Sequence, residues 1–273
     1  MKYSVLILFM LPSWGICQPP NCNVFLWNQD TALYEACTLV RENIDKYYQF
    51  DPKFHELMHR AIEIAPNFAY AYRELGAPFV KTGNFIEWKK YMDQAVKYAP
   101  LDYLPVRASL RYKFFADYEG TIKDIDHFES LINYDVGETS NGTYHLNIVK
   151  GLCYKKLAQP DTAIQIIEKQ LQQPNHLSLY DHLHLGVLYL EKGGIEKALS
   201  YFEQQSANNE LADNCYYQAL CFLKLAQREQ AKAYLQKAKE LFTKGRKMHD
   251  GYNRLIDQVY FFQIEEELAQ LQE

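Results

Sequence analysis

One spacing recurs along this chain and fixes most of what it can fold into. Gly76, Phe79, Gly83, Phe85, Trp88, Met92, Ala95 and Pro100 stand at steps of 3, 4, 2, 3, 4, 3 and 5. Gly186, Tyr189, Gly193, Ile195, Ala198 and Phe202 repeat those steps, as do Gly151, Tyr154, Ala158, Pro160, Ala163 and Ile167. Ala219, Phe222, Ala226, Arg228, Ala231, Leu235 and Ala238 follow, with Arg at one aromatic site. Ser109, Tyr112, Ala116, Tyr118, Thr121, Ile125 and Phe128 fit after a one-residue deletion in the preceding loop. Phe54, Met58, Ala61 and Pro66 match the second half of an earlier unit, and Pro66 to Pro100 is one period of 34. Steps of 3 and 4 keep side chains on one helical face, and a small residue such as Gly76, Gly151, Gly186 or Ala219 lets the next helix come close. Gly83 and Gly193 suit a helix C-terminus, and Pro66 and Pro100 stop the second helix. Each unit is therefore read as a helical hairpin. A hairpin cannot bury its apolar face alone, so several must stack.

These residues resemble the tetratricopeptide repeat family. Tyr72-Arg-Glu-Leu-Gly-Ala-Pro-Phe through Ala95-Val-Lys-Tyr-Ala-Pro100 matches its unit, except that Trp88 stands where the family usually has Ala. Leu185-Gly-Val-Leu-Tyr-Leu-Glu-Lys-Gly-Gly-Ile-Glu-Lys-Ala198 is closer still. The resemblance implies an all-α fold, an alpha-alpha superhelix of about six hairpins over residues 32–242. Asp117-Tyr-Glu-Gly-Thr-Ile122, Tyr144-His-Leu-Asn147 and Leu183-His-Leu-Gly-Val-Leu-Tyr189, with an export signal, are also similar to exported repeat proteins of Bacteroidetes-type bacteria. In such repeats the first helix of each hairpin lines a concave groove. By that resemblance the partner-binding residues are Tyr70, Arg73, Lys81, Arg107, Arg111, His145, Lys155, Tyr180, His184, Tyr216 and Lys224. This aromatic and basic set suits an extended peptide carrying carboxylates.

The ends break the period. Met1-Lys2 precedes an apolar run from Tyr3 to Leu11, which reads as a signal peptide over residues 1–17, with Gly15 and Cys17 at the cleavage site. The expected location is periplasmic or secreted. A lipid anchor at Cys17 is the weaker reading, because Trp14 and Ile16 occupy lipobox positions. No later apolar stretch suffices for a transmembrane helix. Residues 18–31 form a short lead segment, and Cys22 and Cys37 are the pair expected to bond across it. Cys153, Cys215 and Cys221 read as small fillers inside helices. Residues 133–143 are a run of turn formers inserted before the next hairpin, either a plain connector or a partial cover for the groove. Residues 243–273 read as a cap, with a last helix from about Tyr252 to Gln272 carrying Leu255, Val259, Phe262 and Leu268 on one face.

Composition narrows function. A net charge of −5 argues against a general nucleic-acid binder. His55-Glu56-Leu57-Met58-His59 satisfies His-Glu-x-x-His, the arrangement in which two His one turn apart bind zinc and the Glu activates water. Phe54, Met58 and Ala61 already explain that helix as a packing element, and no third ligand has a supported spacing. Three readings follow: a non-enzymatic exported scaffold binding a protein or peptide without a cofactor, a zinc metallopeptidase using His55, Glu56 and His59, and a self-associating envelope assembly component. The first is the leading expectation.

Overall fold

The computed structural model describes residues 21–173 and 178–271. The export signal and Cys17 lie outside the described residues. The regular secondary structure of the described residues is helical, apart from one antiparallel bridge between Glu138 and His145. None of their helices is long and apolar enough to cross a membrane. The described residues divide into two compact units, those up to 81 with 86–98, and 82–85 with those from 99 onward.

The first unit holds α1 (Asn23–Trp27), α2 (Thr31–Arg41), α3 (Pro52–Ile64), α4 (Ala69–Lys81) and most of α5 (Phe85–Tyr98). Asp30 caps α2 by accepting from Leu33 N at 3.0 Å, and Asp51 caps α3 with Pro52 at its first position. Its core joins Ala36, Cys37 and Val40 of α2 to Phe54, Leu57, Met58 and Ala61 of α3 and to Ala71 and Leu75 of α4. Cys22 and Cys37 are bonded, tying α1 onto that core with a Cα–Cα distance of 5.5 Å.

In the second unit, hairpins stack in order: α6 (Pro100–Leu110) with α7 (Tyr118–Leu131), α8 (Leu146–Lys156) with α9 (Pro160–Leu171), α10 (Asp181–Glu191) with α11 (Ile195–Asn208), and α12 (Ala212–Lys224) with α13 (Arg228–Thr243). The first helices α6, α8, α10 and α12 touch one another in a row, the arrangement the repeat requires. Gly186 sits where an added Cβ would come within 2.5 Å of the Phe202 ring, so glycine is what allows α10 and α11 to meet. Each of the five hairpins that show the turn position closes in a left-handed backbone there: Gly83 at φ 71°, Ala116 at 51°, Ala158 at 58°, Gly193 at 81° and Ala226 at 58°. After α6 the chain widens into a π turn over Arg111–Phe115.

The C-terminal segment departs from the expected long helix. Only α14 (Phe261–Gln270) is helical, packing Ile264 with Val259 against Leu235, Ala238 and Leu241. Residues 246–260 are irregular, with Asp257 at φ 64°. The apolar spacing at Leu255 and Val259 is satisfied without a helix, because both side chains are buried from an irregular backbone. That segment lies along the first helices of its own unit.

Candidate functional site

The site is built from the row α6, α8, α10 and α12 and from the loop that crosses it. Both ends of the loop are pinned by one carboxylate at the start of α12. Asp213 accepts from Met248 N through Oδ2 and from Val259 N through Oδ1, each at 2.7 Å, and is fully buried. Burial pushes its carboxyl above the usual range, against the two backbone donors, which favour the charged form. Between the pins the loop reaches out as a compact surface loop with adjacent ends.

Its tip is held by charge. Lys113 Nζ donates to Asp250 Oδ2 at 2.6 Å, and Asn253 Nδ2 donates to the Lys113 carbonyl. Asp257 receives Lys155 Nζ at 2.7 Å on one oxygen and His184 Nδ1 at 2.8 Å on the other. The Tyr217 hydroxyl donates to the Asp257 carbonyl at 3.1 Å, and the His249 backbone hydrogen-bonds Tyr180. His184 is fully buried, and its Nε2 lies 3.1 Å from the Tyr144 hydroxyl. Burial raises the Asp257 carboxyl, but the His184 hydrogen bond and the Lys155 and His184 charges outweigh it and hold the group below its ordinary value. Burial pushes Tyr112, Tyr144 and Tyr217 upward, so these phenols stay protonated as donors.

Beside the tip lies a cavity of about 190 Å³. Tyr112, Phe114, Tyr118 and Tyr144 line one side of it, with Thr139, Asn141 and Thr143 of the inserted 133–143 loop and Asn253 to Ile256 of the C-terminal loop on the others. The insertion is ordered by Thr139 N donating to Tyr144 O at 2.8 Å and Leu146 N to Gly137 O at 2.9 Å. It thus borders this cavity as well as connecting two hairpins.

The groove residues expected from sequence meet several fates. Lys155, Tyr180 and His184 converge under the loop. Arg107 is turned into its own hairpin, with Nε and a terminal nitrogen on Asp124 at 2.9 and 2.6 Å. Arg111 is buried with Asp117 and Asp124. His145 caps α8 by accepting from Asn147 N at 3.1 Å, its other nitrogen 2.9 Å from Asp135. Tyr216 is buried against Tyr217, and Lys224 is exposed in the last turn of α12. In the first unit Tyr70 is buried beside Phe68, Arg73 pairs with Glu74, and Lys81 donates to Gln49 Oε1 at 2.5 Å. Sequence reasoning missed Lys113, Asp213, Tyr217, Asp250 and Asp257. The run Asp250-Gly251-Tyr252-Asn253, a cluster of turn formers, was the local signal against a helix there.

The zinc-site match resolves into packing. Phe54, Leu57, Met58 and Ala61 are the buried face of α3, Glu56 and His59 are exposed, and His55 Nε2 sits 3.1 Å from the Gln49 carbonyl. Among the described residues no group of three or more His, Cys, Asp or Glu side chains could hold a metal ion. Cys153, Cys215 and Cys221 are free and buried, and burial raises their thiols, that of Cys215 to about 12.

No protein-family model matches the chain, and no curated protein matches it in sequence. Solved structures do match in fold. PilF of Pseudomonas aeruginosa superposes with a TM-score of 0.54 at 16% identity, covering 79% of this chain and 94% of its own. PilW, described as a widely conserved type IV pilus biogenesis factor, superposes with a TM-score of 0.54 at 14% identity, covering 92% of this chain and 95% of its own. A tetratricopeptide repeat protein from Parabacteroides merdae has a TM-score of 0.47 at 13% identity, with 92% and 96% covered. The fold is thus all-α and tetratricopeptide-like.

Proposed function

We propose that this chain is an exported, non-enzymatic scaffold of a bacterial cell envelope, acting in assembly by gripping segments of other polypeptides. One observation carries the reading: Lys113, Lys155, His184, Asp213 and Tyr217, from four successive repeats, together hold a stretch of irregular backbone. Such a surface recognises extended chain by main-chain hydrogen bonds and charge. The description of PilW as a pilus biogenesis factor supports assembly over a general adaptor. Export rests on the Met1–Leu11 signal pattern, and a Bacteroidetes-type origin on the three quoted repeat motifs. Self-association is one form such assembly takes.

Cell fractionation coupled to sizing tests the reading. The chain should be recovered from the envelope fraction, beginning at Gln18, in particles heavier than the monomer. Recovery as a full-length cytosolic monomer overturns it.

A further inference from the structure

We infer that the loop tip Asp250–Asp257 is a resident stand-in for a partner, and that the surface beneath it binds an extended acidic segment of another protein that displaces the tip. The inference rests on the scaffold reading above and names the chemistry of its partner.

The tip and its base are held in different ways. At the base, Met248 and Val259 are buried, and their amides end on a carboxylate at 0% exposure. Along the tip, Leu255 is buried and Ile256 half-buried, whereas Tyr252 is 84% exposed and Gly251 and Arg254 face solvent. What fastens the tip is a set of interactions that any acidic segment can offer. Two carboxylates meet Lys113, Lys155 and His184, and one main-chain carbonyl accepts from Tyr217. Little apolar area would have to be re-exposed to exchange such a tip, so competition is decided by charge pairing. Lys113, Lys155 and His184 belong to three separate repeats; their carboxylates here are Asp250 on Lys113 and Asp257 on both Lys155 and His184, with Glu191 also 3.0 Å from Lys155. Beneath the tip Lys113 and Lys155 are 18% and 10% exposed and His184 0%, so removing the tip would leave Lys113 and His184 without a carboxylate and Lys155 with Glu191 alone, donors that a replacement carboxylate can satisfy. Asp213 keeps its two amides throughout, which leaves the displaced loop tethered at its base.

The test uses the mature full chain and, as probe, a fluorescent synthetic peptide with the sequence of residues 246–260, alongside the same peptide with both Asp changed to Asn. In the chain, Asp250→Asn with Asp257→Asn loosens the tip and leaves Lys113, Lys155 and His184 in place. This variant should bind the peptide that keeps its two Asp at least about tenfold more tightly than wild type, the amide peptide should lose that gain, and added Lys155→Glu should abolish it. In wild type, saturating peptide should raise amide exchange across residues 250–257 alone. Leu255→Ser, which frees the tip while keeping its carboxylates, provides the same comparison if the double variant loses its cooperative unfolding. Equal binding of both peptides, or no gain in a loosened chain of native helicity, overturns the proposal. So does a rise in particle mass without peptide binding, which would assign the surface to a second copy of this chain. A cytosolic monomer that nevertheless shows the charge-dependent gain would remove the envelope reading and leave this one standing.

Discussion

First helices of hairpins in each unit carry basic side chains, yet what covers them differs in kind. On α4, Lys81 reaches Gln49 of the α2–α3 linker and lies 5.8 Å from the Tyr48 ring centroid, and Arg73 meets Glu74. Tyr48 and Phe50 are 69% and 45% exposed, so this cover is short, neutral and solvated. On α8 and α10, Lys155 and His184 share one carboxylate that is 7% exposed, supplied from 102 and 73 residues away. The repeat therefore sets where a cation stands, and the segment between or after repeats sets whether it is solvated or neutralised. In the second unit that cover is long, pinned and brings two carboxylates, so the strength of its charge pairs should dominate the behaviour of the loop.

The largest effect should come from removing the shared carboxylate. Asp257→Ala leaves Lys155 and His184 facing each other in a mostly buried site, and breaking such a pair costs about 3–5 kcal/mol. Urea unfolding should show a loss at the low end of that range, because Glu191 still pairs with Lys155 at 3.0 Å. Gln49→Ala in the first unit should change stability by less than about 1 kcal/mol, since it removes exposed or half-exposed hydrogen bonds. Equal losses in the two variants would erase the contrast between the covers.

A second comparison concerns the close helix approach. In Gly186→Ala the new methyl meets Phe202 ring atoms at 2.5 and 2.6 Å, an overpacking expected to cost about 1–3 kcal/mol. In Gly76→Ala the nearest atom, Tyr91 Cβ, is 3.5 Å away, an ordinary contact. There the gain in helix propensity, about 0.5–1 kcal/mol, should prevail and stabilise the chain. Urea midpoints moving in the same direction would refute the distinction.

These pairs also show where the sequence was legible. Gly151 and Gly186 stand at steps that define a packing face, and the contacts with Ile167 and Phe202 follow from that spacing. Gly76 occupies the same step but meets no tight contact, because spacing reports which face a residue is on and not how near the neighbour comes. The cysteine pairing was legible because both partners lie close together at the edge of the repeats. The loop was not. Leu255, Val259, Phe262 and Leu268 obey a helical spacing, and the forces that override it come from Lys113, Lys155, His184 and Asp213, which no local window contains. The resemblance places groove candidates by their position on the first helix, which does not distinguish Arg107 from Lys155, although Asp124 draws the first into its own hairpin.

Acid should weaken the cover of the second unit through Asp257. Its carboxyl lies below the ordinary 3.8 in the folded chain, so its contribution is complete above that value and is lost as pH falls through the lower folded value. Asp213 and Asp181 have the opposite sign, since burial raises both and protonation favours their folded form. The facing groups are Lys155 on α8, His184 on α10, Tyr217 on α12, and Tyr112 and Tyr144 nearby. The stability difference between wild type and Asp257→Asn should accordingly shrink as pH falls below 3.8. A difference that grows on acidification would mean that another group controls the loop.

The smallest effect should appear at the hairpin turns, where successive repeats can be compared residue for residue. Gly83 and Gly193 adopt φ of 71° and 81° freely, whereas Ala116, Ala158 and Ala226 hold 51° to 58° with a Cβ that crowds the following carbonyl. Replacing Ala158 or Ala226 by glycine removes that crowding at the cost of a more flexible unfolded chain. The crowding is the larger of the two, so each substitution should stabilise by about 0.5–1 kcal/mol. Gly83→Ala should lose a similar amount, with nothing within 4 Å of the new methyl to blame except the backbone. Thermal unfolding of Ala158→Gly and Gly83→Ala reads both signs, and a destabilised Ala158→Gly would mean that its methyl packs against something worth more than the strained turn.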